Sequence, residues 1–594
     1  LAGSSLRRRD LLAPLLAGAA LPAAATPGER LLRVATDVPE VGFDPPRVSD
    51  RTSVTVNAHI FESLLTYDPL ARPALLVPQT AASLPEVSDE HTRFVFTLRP
   101  GIRFADDPVF QGRPRELVAA DYAYSLKRYF DPRIASEHLH LLEGPQILGL
   151  HALRQRALAA KTGLDYDAPV DGLRVHGRYR LEIRLARPDP RFLQLFAIPG
   201  LTGAVAREVV EHYGDAIAAH PVGTGPFRLA DWRRGSRVRL VRNEQFREQR
   251  YTAQPAADDA DGQALLRRLQ GRRLPMLDAV ELAIVLEDQP RWLAFSGGEL
   301  DALEMPQTLA PAVMPGGRLA PHLARRGVQA RATVDTSVRH TFFNCADADI
   351  GGDSPERVAL RRAISLAYDN AEELRSVFKN QGVLAQSMVV PGVVGHDAGL
   401  RSPAGSGDVA AAKALLDVWG YRDRDGDGFR EHPDGRPLRL RLAGLSDARQ
   451  RALNEHWLKQ MRAIGLRITF ETGMFGELAK NSLAGRLQMW SFAWSTQQPD
   501  GDFFLGLAYG PNAGQSNDSR FSLPAYDRLY ERQRALADGP ERLALMREAQ
   551  RLLIAYAPLL PHSHALRVDL TQPQVIGYRR HVFTRDWWRH TAID

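Results

Sequence analysis

The chain has 594 residues, 44% of them hydrophobic and 25% charged, a composition that excludes disorder and is long enough to fill two or more separate cores. Its formal net charge of +6 comes from acids and bases interleaved along the sequence, with no Lys/Arg block beyond Arg7–Arg9, and this argues for a solvated surface against nucleic-acid binding. The single cysteine, Cys345, excludes an internal disulfide and any CxxC metal or redox site.

In chain order, Arg7, Arg8 and Arg9 precede an apolar run from Leu11 to Leu21 that ends at Ala23-Ala24-Ala25. This predicts a signal peptide over residues 1–25, too short and too Pro-interrupted to span a bilayer. Arg8-Arg9-Asp10-Leu11-Leu12 is similar to the twin-arginine type, with Arg7 where Ser/Thr is usual. The expected product is exported, periplasmic and soluble; without a cysteine at the cleavage point it is not expected to be lipid-anchored. Leu31–Ala35 reads as a strand, leading into a loop over Asp37–Pro46 that contains Phe43-Asp44-Pro45. Asn57–Tyr67 places Ile60, Phe61, Leu64 and Leu65 on one helical face. Phe94, Phe96 and Leu98 alternate as a strand, Val118–Pro132 reads as a helix stopped by proline, and Arg178–Leu185 as a second strand.

Pro221–Asn243 is a β-hairpin by its alternation, Phe227 and Leu229 then Val238 and Leu240, with Trp232 and Gly235 in the polar bend between. Gly223 and Gly225 flank Thr224, and Pro226 sets φ at the strand entrance, a tight backbone passage that a side chain would strain. No GxxxxGK[ST] follows, so it is not a phosphate loop. Glu248–Arg273 is a polar insertion without a strand pattern. Leu277–Leu303 gives a strand and a helix ending near Gly297-Gly298. Thr341–Asn344 opens a new region as a strand, and Leu360, Ala363, Ile364 and Ala367 lie at helical spacing.

After a helix over Val409–Trp419, Asp423, Asp425 and Asp427 with Gly428 have the first spacings of a calcium loop, with Asp434 at the closing position. The following Leu438, Leu440 and Leu442 alternate as a strand where an EF-hand needs a helix, so a tight acidic turn is expected, without metal. Leu453–Gly465 is read as a helix and Leu466–Phe470 as a strand. Trp490, Phe492 and Trp494 alternate on one strand face, and Arg542–Tyr556 is a helix. His562 and His564 lack a spaced carboxylate or third histidine and read as structural. Neither GxSxG nor HExxH occurs, so no catalytic residue, cofactor or metal is assigned and the chain is not expected to be an enzyme.

Several of these strings, in this order, resemble the oligopeptide/dipeptide-type solute-binding proteins of ABC importers, extracellular solute-binding family 5: GTGPF at Gly223–Phe227, the Asp-Pro helix end at Asp131-Pro132, the Leu360–Asn370 helix and the segment from Trp494. The resemblance implies an α/β fold, periplasmic-binding-protein-like type II (cluster C), with two main lobes, an accessory lobe and a hinge-closing cleft. It divides the chain into lobe I (31–67, 201–338 with the 248–273 insertion, and 565–594), an accessory lobe II (68–200) and lobe III (339–564). It implies capture of a peptide or peptide-like solute and delivery to an ABC transporter permease, by a protein expected to be monomeric and to bind no nucleic acid. The ligand-binding residues it implies are Phe43, Asp44, Phe343, Asn344, Trp494, Gln497, Gln498, Asp500 and Asp502. Gln497 stands where relatives carry the Asp that pairs with a peptide's α-amino group, and a neutral amide cannot neutralise that charge. Asp500 and Asp502 are the nearest replacements, or else a turn acid and a helix N-cap. A non-peptide solute (an opine, oligosaccharide or metal chelate) and an exported hydrolase remain alternatives.

Overall fold

A computed structural model describes residues 28–594; the expected signal segment, residues 1–25, lies outside the described residues. One eleven-stranded mixed sheet organises the chain. From one edge it runs Arg467–Gly473, Arg439–Leu445, Met489–Ser495, Gln329–Phe343 and Leu559–Thr571. It continues through Ala302–Glu304, Leu31–Thr36, Ala279–Ile284, Arg237–Arg242 and Phe227–Arg233, while Gly382–Leu384 pairs beside Leu559–Thr571. Leu31–Thr36 is parallel to both Ala279–Ile284 and Ala302–Glu304, which sends the carboxyl ends of all three strands to the same side. The two longest strands, Gln329–Phe343 and Leu559–Thr571, pair antiparallel with a register shift between Val334 and Val338, a bulge that bends the ladder. The expected divisions at 338/339 and 564/565 fall inside these two strands.

A separate four-stranded sheet is built from Glu86–Ser88, Arg93–Thr97, Arg180–Arg184 and Leu173–His176. The Ala119–Tyr129 helix joins its core, burying Tyr122, Leu126 and Tyr129 with Phe94, Phe96, Leu181 and Ile183. On the large sheet, Leu32, Val34, Val238, Leu240 and Val280 form one core, and Leu360, Ile364, Leu440, Leu442 and Trp457 another.

The hairpin forms, Phe227–Arg233 against Arg237–Arg242, with Gly235 in the bend; Trp232 is not in the bend but pairs opposite Val238, because the first strand runs on to Arg233. Its entry packs on the end of the Arg51–Ile60 helix: Gly225 N–H donates to the Ile60 carbonyl at 2.8 Å, and a Cβ on Gly223 would lie 2.0 Å from that same oxygen. Thr224 donates its hydroxyl to buried Glu62 at 3.2 Å.

Three expected elements differ. The Asn57–Tyr67 helix is instead Arg51–Ile60, capped by Asp50 on Ser53 N–H, followed by a strand at Leu65–Tyr67. Ile60, Phe61, Leu64 and Leu65 are all buried, so an apolar run enclosed on every side imitated a helical stripe. The Glu248–Arg273 insertion carries a helix, Ala260–Leu269, capped by Asp259 and flanked by paired strands Gln249–Arg250 and Arg273–Leu274. Only Leu265 and Leu269 of that helix, with Gly262, are buried, too narrow a stripe to be seen among its polar residues. The Leu453–Gly465 helix begins earlier, as Ala448–Ala463, because Asp447 caps it through Gln450 N–H.

Candidate functional site

In open α/β sheets, ligands bind beyond the carboxyl ends of the strands. Here a cavity of about 460 Å³ lies where the ends of Leu31–Thr36 and Ala302–Glu304 face the first turn of the Arg51–Ile60 helix, a size suited to a small organic solute. Its wall carries six arginines (Arg51, Arg291, Arg449, Arg567, Arg580 and Arg585) against three carboxylates, Asp37, Asp288 and Glu304, with Tyr578, Trp587 and Trp588 as its aromatic side.

The carboxylates are all engaged. Glu304 accepts from Arg567 at 2.8 Å, Arg580 at 2.9 Å and Arg51 at 3.4 Å. Burial alone would raise its pKa, but these three cations outweigh burial and hold it down at about 2. Asp37 pairs with Arg51 and lies 3.7 Å from Arg291. Asp288 takes Arg291 at 2.5 Å and the Thr308 hydroxyl at 2.6 Å. Behind the wall, Asp335 holds Arg567 at 3.0 Å and Asp569 holds Arg580 at 2.6 Å; the Arg580 guanidinium also stands 5.0 Å from the Trp587 ring.

Two arginines stand apart. Among the described residues, neither Arg585 nor Arg449 has a carboxylate partner or a hydrogen-bond acceptor. Burial, then repulsion by Arg580 and Arg51, lowers the Arg585 pKa to about 10, so it remains charged at neutral pH. Arg449 is exposed, 5.9 Å from the Phe378 ring.

None of the nine residues singled out from sequence lines this cavity. Phe43 is buried edge-on to Trp232 at 4.9 Å. Asp44 is buried and bound by both Arg128 nitrogens at 2.7 and 2.9 Å. Phe343 lies in the core with Leu360 and Ile364, and Asn344 donates to the Gly485 and Leu487 carbonyls, each at 3.0 Å. The strand pairing brings Phe343 opposite Met489 and Val338 opposite Trp494, and the odd spacing puts the two pairs on opposite faces of the sheet, Phe343 and Met489 in one core and Val338 with Trp494 in another. Trp494 continues an aromatic row, 5.9 Å from both Phe492 and Phe503. Gln497 is exposed and Gln498 half-buried. Asp500 is buried against Arg542, and it also accepts the Asp502 N–H at 2.8 Å as a turn acid. Asp502 is the first residue of the Asp502–Gly506 helix, with Gly501 at the cap, and it accepts from the Gln533 side chain.

In the acidic loop, ligand atoms of Asp423, Asp425, Asp427 and Glu431 gather within 4.8 Å of one another. Glu431, not Asp434, is the fourth member, because Asp434 turns to Arg436 at 2.9 Å. Asp423 accepts the Gly426 and Gly428 N–H groups at 2.7 and 2.9 Å, Glu431 that of Arg424 at 2.7 Å, and Arg467 pairs with Asp427. The loop is a set of Asx turns leading into the Arg439–Leu445 strand. His562 is held by Thr341 and Asn370, each at 2.7 Å.

Sequence reading left the cavity residues unmarked. The one local signal is Arg585-Asp586-Trp587-Trp588-Arg589, a charged and aromatic string near the C-terminus with no strand period.

The profile described as "Bacterial extracellular solute-binding proteins, family 5 Middle" matches residues 76–516. Di/tripeptide-binding protein 2 of Pseudomonas aeruginosa is 26% identical over 591 residues, covering 97% of this chain and 96% of its own. Among solved structures, HbpA2 from Haemophilus parasuis has a TM-score of 0.73 at 16% identity, covering 95% of this chain and 100% of its own. DppA from Helicobacter pylori, in complex with the peptide STSA, has a TM-score of 0.67 at 18% identity, covering 95% and 98%. These structures establish the fold, periplasmic-binding-protein-like type II, and the profile covers most of the sequence. The chain belongs to the bacterial extracellular solute-binding proteins of family 5.

Proposed function

We propose that the protein is the capture component of an ABC importer: it takes a peptide or peptide-like solute into the cavity between Thr36, Glu304 and Trp588 and hands it to a membrane permease. The observation that carries this reading is the cavity itself, of solute size, at the carboxyl ends of the sheet strands, with an unpaired, half-buried cation in its wall. The relatives named for peptide binding, P. aeruginosa di/tripeptide-binding protein 2 and H. pylori DppA with STSA, support a peptide-like ligand. The protein works outside the cytoplasmic membrane, as a monomer and without catalysis; among the described residues no helix is long and apolar enough to cross a membrane. Lobe I contributes residues 31–67, 201–338 and 565–594 and lobe III residues 339–564, with the paired strands Gln329–Phe343 and Leu559–Thr571 as the crossing between them.

A non-peptide solute is favoured over free-amine peptides by one observation: each of the three carboxylates in the cavity wall, Glu304, Asp37 and Asp288, is already taken by an arginine. Isothermal titration of the chain from Thr26 onward with di- and tripeptides, opines and oligosaccharides tests the reading. Saturable one-to-one binding that Trp588→Ala weakens is expected; a ligand whose affinity no cavity substitution changes overturns it.

A further inference from the structure

Resting on the reading that this cavity holds the solute, we infer that the solute is an anion: Arg585 takes an oxyanion group, carboxylate or phosphate, Arg449 meets a second negative charge, and no free ammonium is accommodated. An ammonium needs a carboxylate, and each of the three in the wall already serves arginines: Glu304 three of them, Asp37 two, and Asp288 Arg291 with the Thr308 hydroxyl. A cationic group would therefore have to displace an arginine while facing a wall with more positive than negative side chains. Asp500 and Asp502 lie off the wall, held by Arg542 and Gln533.

Arg585 presents the opposite situation. Its guanidinium is half-buried in the cavity wall without a protein acceptor, and the group that meets its fork of N–H donors best is a planar or tetrahedral oxyanion, bound through two parallel hydrogen bonds. Arg449 is the only lining residue supplied by the chain between residues 309 and 564, so it approaches the solute from a different part of the molecule. Two unpaired cations from two parts of the chain fit a solute with two separated negative groups.

Titration calorimetry with N-acetyl-Ala-Glu, N-acetyl-phosphoserine, Ala-Ala and Ala-Lys tests this. The anionic probes are expected to bind at least about tenfold more tightly than Ala-Ala, with Ala-Lys weakest, and the preference between the two anions distinguishes carboxylate from phosphate. Arg585→Gln should reduce anion affinity about a hundredfold, Arg585→Lys less, and Arg449→Gln should weaken the dianions more than N-acetyl-Ala-Ala amide. Thermal melting of the unliganded variants shows that they fold, and removing the unpaired charge should leave Arg585→Gln at least as stable as the parent. Tighter binding of Ala-Ala or Ala-Lys, no anion binding at millimolar concentration, or unchanged anion affinity in a folded Arg585→Gln overturns the inference. If Ala-Ala binds and only Trp588→Ala abolishes it, the anion inference falls and the cavity reading stands; binding untouched by both Trp588→Ala and Arg585→Gln removes the cavity reading as well.

Discussion

Asp500 and Arg542 are joined by two hydrogen bonds of 2.7 and 2.8 Å with both side chains buried, and this pair fastens the Pro540–Tyr556 helix to the turn that follows the Met489–Ser495 strand. Removing Asp500 leaves the buried Arg542 guanidinium with the exposed Asp538 carboxylate, at 2.6 Å, as its remaining charged partner. Asp500→Ala is therefore expected to lower stability by about 3–5 kcal/mol, measured by urea unfolding. Asp502, half-buried with an amide partner from Gln533, should cost about 1 kcal/mol when changed to Ala. Asp500→Leu combined with Arg542→Met should recover most of the loss, since the pair is then replaced by apolar packing. Equal losses for the two single variants would contradict this account.

The glycines of the hairpin entry are fixed by space and the glycine of its bend by φ. A Cβ at Gly223 would stand 2.0 Å from the Ile60 carbonyl oxygen, and one at Gly225 would stand 2.5 Å from that of His59. Neither oxygen can withdraw without unravelling the end of the Arg51–Ile60 helix. Gly223→Ala and Gly225→Ala are each expected to cost about 3 kcal/mol or more. Gly235, at φ +66° with nothing near its missing Cβ, should lose only about 1 kcal/mol on the same change. Thermal denaturation of the three variants ranks them; a Gly235 variant as damaged as the other two would show that strain, not contact, governs this hairpin.

Where the chain was legible, a local rule was enough. The hairpin, the Pro355–Ala367 helix and the aromatic alternation of Trp490, Phe492 and Trp494 each follow from period and punctuation within a dozen residues. The tightness at Gly223 could be read too, because two glycines around one threonine have few other reasons to be there. The site could not be read this way. Glu304 is shared by Arg51, Arg567 and Arg580, 253, 263 and 276 residues away from it along the chain, and Arg585 stands out only once its neighbours' partners are known. Asp500 could be read as a turn acid, which it is, but its occupation by Arg542 depends on a helix that packs back across the turn. Charge compensation is a property of the folded arrangement, and no spacing along the sequence encodes it.

His59 is held neutral by geometry. Its Nδ1–H donates to the Thr55 carbonyl at 2.8 Å, its Nε2 accepts the backbone N–H of Trp588 at 3.2 Å, and its ring stacks on the Trp588 indole at 4.4 Å. Burial pushes its pKa down to about 3 from 6.5. The folded state thus binds no proton at this ring where the unfolded chain does, so the contribution is fully present above pH 6.5 and is lost as pH falls toward 3. Across that window the parent should lose about 1.4 kcal/mol of stability per pH unit from this group. His59→Gln should show a slope shallower by about one proton in urea unfolding between pH 6 and 4, and an unchanged slope would place the charge change elsewhere.

Closure is the remaining consequence of the cavity's make-up. Every lining residue but Arg449 comes from the stretches 34–55, 282–308 and 565–588; Arg449 sits in the first turn of the Ala448–Ala463 helix. A contact made by one side alone contributes binding but does not hold two parts of a molecule together, so closure requires a solute that Arg449 and the opposite wall grip at once. The bulge between Val334 and Val338, beside the Arg567–Asp335 ion pair at 3.0 Å, is where the paired long strands can bend with least loss of ladder hydrogen bonds. Small-angle scattering of the protein with and without a tightly bound solute should show a smaller radius of gyration in the bound state. Arg449→Gln should keep part of the affinity, through Arg585 and the Trp587–Trp588 wall, and lose most of the compaction. Compaction that survives Arg449→Gln undiminished would mean that the solute draws the molecule shut through other groups.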